Sequence, residues 1–185
     1  VIERKARRHG DGNGIVFGPG QKRQIQAIDE DASVWLIDAA MGTRLYIPVF
    51  LAITTGMRRG EVLALRWSDV DLPRGYLTAA RSIEQTKLGG LKFKTPKNRK
   101  GRQLSLPPVM VDALRIHKAA QGERELLLGA AYEKNDLVCC VEDGSIWKPS
   151  AFTSAYEDLL RRRNIKRFGF TICGTRTRAN SFGPA

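Results

Sequence analysis

The stretch Thr54–Leu72, TTGMRRGEVLALRWSDVDL, decides how the rest of the chain is read. It sets Arg58 and Arg59 directly after a Thr-Gly break where a helix should begin. Arginine is disfavoured in a first helical turn, which carries the positive end of the macrodipole. Guanidinium groups beside a free helix N-terminus are, however, suited to receiving a phosphate. Glu61 follows Arg58 by three residues and so shares its helical face, where it can orient the arginine or support the helix. Val62, Leu63 and Leu65 read as core, as does Trp67.

The charge of the whole chain agrees with a polyanionic partner. The 185 residues are 42% hydrophobic and carry a formal net charge of +12. That length suits one well-buried domain, and that charge favours nucleic acid before an acidic membrane surface. The longest apolar run, Leu45–Ile53, has nine residues and contains Pro48, against roughly 20 for a membrane helix. Cys139, Cys140 and Cys173 form no CxxC pair, which suits a reducing cytoplasm. A cytoplasmic protein with no membrane partner is expected.

Outward from the opening stretch, residues 1–20 read as a basic, glycine-rich arm or linker whose glycine spacing is not that of a phosphate loop. Near-helical apolar spacing of Ile25, Ile28, Trp35, Leu36 and Ala39 predicts a helix within Gln21–Ala40. A second helix is expected over Arg44–Thr54, ending at Gly56 and restarting as Arg58–Trp67. Ser68–Asp71 reads as a helix end entering a turn. Tyr76–Glu84 has β character, and two further strands are expected within Leu91–Leu106. Pro107 and Pro108 open a helix through Ala120, Leu137–Val141 reads as a buried strand, and Ser150–Arg163 as an amphipathic helix. The fold class is α+β, mainly helical, with a small antiparallel sheet.

A second basic site lies at residues 91–107, LKFKTPKNRKGRQLSLP. Lys92, Lys94, Lys97, Arg99, Lys100 and Arg102 fall here, with no acidic residue between Glu84 and Asp112. Such an excess on a hairpin suits contact with a phosphate backbone; a solvated turn is the alternative. His9 lies in the basic arm and His117 on a helix expected to be exposed, both apart from these sites.

TGMRRGEVLALRWSDVDL followed by KTPKNRKGRQLSLP resembles the catalytic domain of the tyrosine recombinases, the phage-integrase family. The resemblance runs from about Gln21 to Phe170 and includes NDLVCCVEDGSIWKPSAFTSAYEDLL. It implies the recombinase catalytic fold, with Arg58 in the place of the first catalytic arginine and Lys94 in that of the hairpin lysine. Arg59, Lys92, Lys97, Arg99, Lys100 and Arg102 are then candidate DNA contacts. Double-stranded DNA is the implied partner, with homo-oligomers on DNA in the intact family, and no metal, ATP or other cofactor is implied. The family breaks a DNA strand through a tyrosine that forms a phosphotyrosyl link. A planar guanidinium can hold two non-bridging phosphate oxygens, and a lysine can protonate the leaving 5′ oxygen.

The resemblance fails at the C-terminal end. The family's His-x-x-Arg motif and nucleophilic tyrosine do not stand where expected; Tyr46, Tyr76, Tyr132 and Tyr156 all precede Phe170, and Cys173, not histidine, stands three before Arg176. The family's C-terminal helices and its N-terminal DNA-clamping domain are therefore expected to be missing, and this chain is expected not to cleave DNA. A DNA-binding relic without chemistry, or a basic RNA-associated protein, are the alternatives. The last fifteen residues, Thr171–Ala185, carry a further sign. Joining the third base of each codon to the first two of the next, with permitted codon choices, re-reads them as HDLRHTHASQLLRAG. That resembles the missing motif, and a reading-frame slip near Gly169–Phe170 would explain the aberrant tail. The nucleotide sequence tests it: HDLRH-like codons are expected in the overlapping frame, and their absence there contradicts the slip.

Overall fold

The computed structural model describes residues 30–86, 90–95, 101–165 and 170. Around its core run helix α1 (Glu30–Ala40), helix α2 (Tyr46–Thr55) and the short helix α3 (Arg59–Leu63). Five strands follow: β1 (Val70–Asp71), β2 (Tyr76–Ala79), β3 (Ser82–Gln85), β4 (Leu91–Lys94) and β5 (Arg102–Ser105). Helices α4 (Pro108–Leu128) and α5 (Pro149–Arg162) complete the order. The fold is α+β and mainly helical, as expected.

Helix α2 is the central element. Its residues Ile47–Ala52 are buried in succession, the behaviour of a helix apolar on all sides and surrounded by protein. Pro48 fits because it stands in the first turn, where no intrahelical partner for its nitrogen exists. The helix ends at Gly56, whose φ of 69° is left-handed and whose N–H donates to the Ala52 carbonyl at 3.1 Å, a C-cap that glycine takes without steric cost. This turn buries Met57 and delivers Arg58 to the surface.

The strands form two small antiparallel sheets, β1-β2-β5 and β3-β4. The β run expected over Tyr76–Glu84 is thus two strands in different sheets. The chain bends at Ala80-Arg81, where Arg81 donates to the Ala64 carbonyl at 3.2 Å and stands over the Phe93 ring. Leu77 faces inward from β2 and Ile83 from β3, onto a core that includes Leu51, Leu63, Met110 and Phe152.

Several boundaries differ from the sequence reading. The helix expected over Arg58–Trp67 stops at Leu63, because residues 65–67 pair with another segment instead. Val138 N–H donates to the Leu65 carbonyl at 2.9 Å and Trp67 N–H to the Asp136 carbonyl at 2.8 Å. For the same reason Leu137–Val141 is no regular strand: it makes single bridges, Arg66–Leu137 and Cys140–Ile146. Ser68 and Asp69 finish a 3-10 turn, and Val70–Asp71 enter β1. Helix α4 continues past Ala120 to Leu128, its outer face tolerating Gly122, which has open space around it. Trp35, counted among the apolar periodic positions, is 63% exposed, whereas Leu36 and Ala39 are buried. Ile25 and Ile28 lie outside the described residues, as do the arm (1–20) and the tail (171–185). Among the described residues, no helix is long and apolar enough to cross a membrane, and no cluster of histidine, cysteine and acidic residues could hold a metal ion.

A buried polar knot joins α4 to these loops. The Gln121 amide oxygen accepts from Trp67 Nε1 at 2.9 Å, and its nitrogen donates to Tyr132 Oη at 2.9 Å and to the Leu137 carbonyl at 3.0 Å. Its place seven residues after Leu114 puts Gln121 on the inward face of α4, but its polar side chain reads as solvated. Cys139 is buried beside the knot and Cys140 half-buried; burial pushes both thiols up, which leaves them poor nucleophiles.

His117 is not exposed as the sequence suggested. It is half-buried, with Nε2 donating to the Val138 carbonyl at 2.8 Å in the neutral tautomer that this acceptor requires. Burial holds its pKa below the ordinary 6.5, the Val138 contact opposes that shift, and Arg124 adds to it. The unfolded chain therefore takes up this proton first as pH falls. Stability is expected to decline as pH drops from 6.5 toward the folded value. Urea unfolding followed from about pH 7.5 to about pH 5 should show a smaller decline in H117Q; an identical decline in both proteins contradicts the assignment.

Candidate nucleic-acid interface

Arg58 stands as the N-cap of α3, with extended backbone (φ −73°, ψ 154°) and a side chain 71% exposed. It has no capping oxygen of its own to offer. Glu61 supplies the compensation: its Oε2 accepts the Arg58 backbone N–H at 2.9 Å, and its Oε1 lies 3.4 Å from Arg58 Nη1. This is the acidic half of a capping box. It also corrects the sequence reading of a free helix end, because Glu61 already occupies the Arg58 amide. The guanidinium remains the group that can meet a phosphate.

Helix α3 has five residues, too few to persist unaided in water. Packing holds it: Val62 and Leu63 are buried, and Gly60 lies against β3. A Cβ at position 60 would come within 2.6 Å of the Ile83 carbonyl oxygen and closer still to the Ser82 hydroxyl. Glycine is thus required for the approach, not for a special φ. Ser82 is in turn the cross-strand partner of Lys94. The chain from Arg58 through Gly60 and Ser82 to Lys94 sets the two predicted catalytic residues on elements that both adjoin β3.

Lys94 is half exposed on β4, and its Nζ is 2.5 Å from Glu84 Oε2 on β3. The basic hairpin therefore has a carboxylate that the count between Glu84 and Asp112 passed over, because Glu84 bounds that interval. Both partners are about half exposed, so the pair contributes at most about 1 kcal/mol and is readily exchanged for another anion. Lys92 projects from the same face of β4 and is exposed. Arg102 begins β5 and reaches Glu61, with Nη2 3.2 Å from Oε2. Arg59 is half-buried, and its Nη1 donates to Thr153 Oγ1 at 2.6 Å, tying α3 to α5. Ser150 N–H adds a second tie by donating to Gln85 Oε1 at 3.1 Å. Lys97, Arg99 and Lys100 lie outside the described residues.

The structure thus links Arg58 and Arg102 through Glu61, and sets Lys94 and Lys92 on β4, whose partner strand β3 packs against α3. It turns Arg59 toward α5. Glu61 and Glu84 are the acidic members of the group; the shared helical face signalled Glu61, and nothing in the sequence signalled Glu84. Tyr132 and Tyr156 are buried, consistent with the reading of the tyrosines as core or helix-face residues.

No family model matches the chain. A XerC-like tyrosine recombinase of Caldanaerobacter subterraneus subsp. tengcongensis is 29% identical over 155 residues, 77% of this chain and 39% of that protein. An integrase of Streptomyces ambofaciens is 30% identical over 141 residues, 71% of this chain and 31% of the relative. Among solved structures, XerA recombinase matches with a TM-score of 0.60 and 22% identity, over 79% of this chain and 46% of that one. The chain is a relative of the tyrosine recombinases and carries their catalytic-domain fold.

The integrase of the Tn1549 transposon, solved in complex with transposon right-end DNA, gives a TM-score of 0.66 at 11% identity, over 79% of this chain and 47% of that one. At such identities the likeness is one of fold. The chain spans 39% and 31% of the lengths of the two sequence relatives. Within this recombinase fold, the segment from Gly56 to Leu63 and the β3–β4 hairpin are the elements that carry Arg58 and Lys94.

Proposed function

We propose that the chain binds duplex DNA through Arg58, Lys94 and the basic hairpin, as the phosphate-holding part of a site-specific recombinase centre acting in DNA integration. The observation that carries this reading is the close approach of Gly60 to Ser82 and Ile83, since Ser82 pairs with Lys94. It seats the backbones that carry a guanidinium and an ammonium against the same strand, β3. An arginine can take two non-bridging oxygens of one phosphate, and in strand cleavage it would stabilise the charge gathering there. Lys94 would release Glu84, follow the phosphate, and stand as proton donor to the leaving 5′ oxygen.

Cleavage needs a nucleophile as well. In the family that group is a tyrosine in the C-terminal part, and none of the tyrosines of this chain matches it. Tyr132 and Tyr156 are buried in the core, and Tyr76 pairs with Asp71 and Ser105 inside the three-stranded sheet. The chain is accordingly a DNA-binding recombinase part that does not itself form the phosphotyrosyl link. Lys97, Arg99 and Lys100 would add phosphate contacts along the backbone, and Lys92, on the same strand as Lys94, would add another. Contacts of this kind position the protein and carry no base sequence information.

Duplex binding followed over a salt series tests the reading. Log affinity should fall linearly with log salt, and R58A and K94A should each make the slope shallower by about 0.9. Equal slopes in the variants contradict the assigned contacts. Stronger binding to RNA than to duplex DNA would favour the RNA-associated alternative. Incubation with a nicked suicide duplex should yield no covalent protein–DNA adduct; an adduct overturns the claim that the chain is inactive.

A further inference from the structure

The surroundings of Glu61 point to a task for Arg102 other than touching DNA. Glu61 belongs to α3, yet its side chain is only 16% exposed, and both its oxygens are engaged. Oε2 receives the Arg58 backbone N–H at 2.9 Å and Arg102 Nη2 at 3.2 Å, while Oε1 faces Arg58 Nη1 at 3.4 Å. Two guanidinium groups from separate elements thus share one carboxylate.

The charge balance shows what the second guanidinium does. Glu61 and Arg58 alone would form a neutral pair, and the carboxylate would offset the positive charge that a phosphate should meet. It would also draw the Arg58 guanidinium back along α3, as an i,i+3 partner does. Arg102 supplies another positive charge to the same carboxylate and restores an excess of one. Its contact from β5 also holds the carboxylate in the orientation that receives the Arg58 backbone N–H.

The origin of Arg102 is fixed independently. Gly101, which precedes it, lies so close to β2 that a Cβ would stand 3.2 Å from Ala80 Cα and 3.3 Å from the Ala79 carbonyl oxygen, and closer to the Thr78 methyl. Arg102 itself is in register with Ala79. The side chain therefore starts from a backbone locked to the three-stranded sheet, whereas Lys94 comes from the two-stranded one.

We propose that Arg102 is a positioning residue: by anchoring Glu61 from β5, it holds the Arg58 backbone in place and leaves the Arg58 guanidinium available to a DNA phosphate. The assignment rests on the DNA-binding reading above for its consequence, but not for its geometry. If Arg102 were a separate phosphate contact, its removal would cost the same factor whether or not Arg58 were present. If it acts through Glu61 on Arg58, the cost disappears once Arg58 is gone.

Two measurements on the full chain decide between these. In the absence of DNA, exchange of the Arg58 backbone amide, read by NMR, should quicken about three- to tenfold in R102A and return toward the original rate in R102K. Unchanged exchange in R102A overturns the assignment. For duplex DNA, R102A should weaken binding about three- to tenfold in the intact chain and less than about twofold in an R58A background. Equal factors in both backgrounds make Arg102 an independent DNA contact and overturn the proposal. A chain that binds no duplex at all ends the DNA reading instead, and the Arg58 exchange then decides the Arg102 assignment by itself.

Discussion

The close approach of α3 to β3 at Gly60 is the constraint from which the rest of the site follows. Five residues cannot hold a helix in water, so the position of Arg58 depends on what α3 is pressed against. Val62 and Leu63 enter the core on one side, and on the other the bare Cα of Gly60 lets the backbone meet Ser82 and Ile83. Full burial of two such side chains contributes about 1.5–3 kcal/mol each, comparable with the entropy of ordering a few residues. The guanidinium of Arg58 is thus exposed, while the backbone that carries it is firmly seated. Arg59, tied to Thr153, and Gln85, tied to Ser150, extend the same seating to α5.

Electrostatics at the site are arranged in exchangeable pairs. Lys94 is held by Glu84, and Arg58 and Arg102 share Glu61. Exposed pairs of this kind add little to stability, so their value lies in orientation. Lys94 and the Arg58 guanidinium are kept near their working places in the absence of DNA and can turn to a phosphate at small cost, while Arg102 stays on Glu61. Glu61 differs from Glu84 in being largely shielded and in holding a backbone amide, which suits it to remain in place when DNA arrives.

Much of this was legible in the sequence, and what was not has identifiable physical reasons. The Thr-Gly break announced the end of α2, since Gly56 alone takes the left-handed turn there cheaply. Val62, Leu63 and Leu65 were read as core because helical spacing and apolar character agree, and all three are buried. The extent of α3 was misread because Leu65 and Trp67 use their backbone groups on Val138 and Asp136, partners some seventy residues away that no local pattern reveals. Gln121 and His117 escaped for a similar cause: a polar residue on a helix reads as solvated until the groups that satisfy it are known. Trp35 was assigned by periodicity to the wrong side of α1, next to the correctly placed Leu36. At the site, the resemblance to the tyrosine recombinases singled out Arg58 and Lys94, but only the fold shows that Gly60 and Ser82 join their elements.

The central claim is that Arg58 and Lys94 serve one phosphate from two elements seated on β3. A structure of the chain bound to duplex DNA tests it most directly. The account predicts Arg58 nitrogens and Lys94 Nζ on oxygens of a single phosphate, with Lys94 released from Glu84 and Glu61 still holding the Arg58 amide. Arg58 and Lys94 on separate phosphates, or Lys94 still paired with Glu84 in the complex, would contradict it.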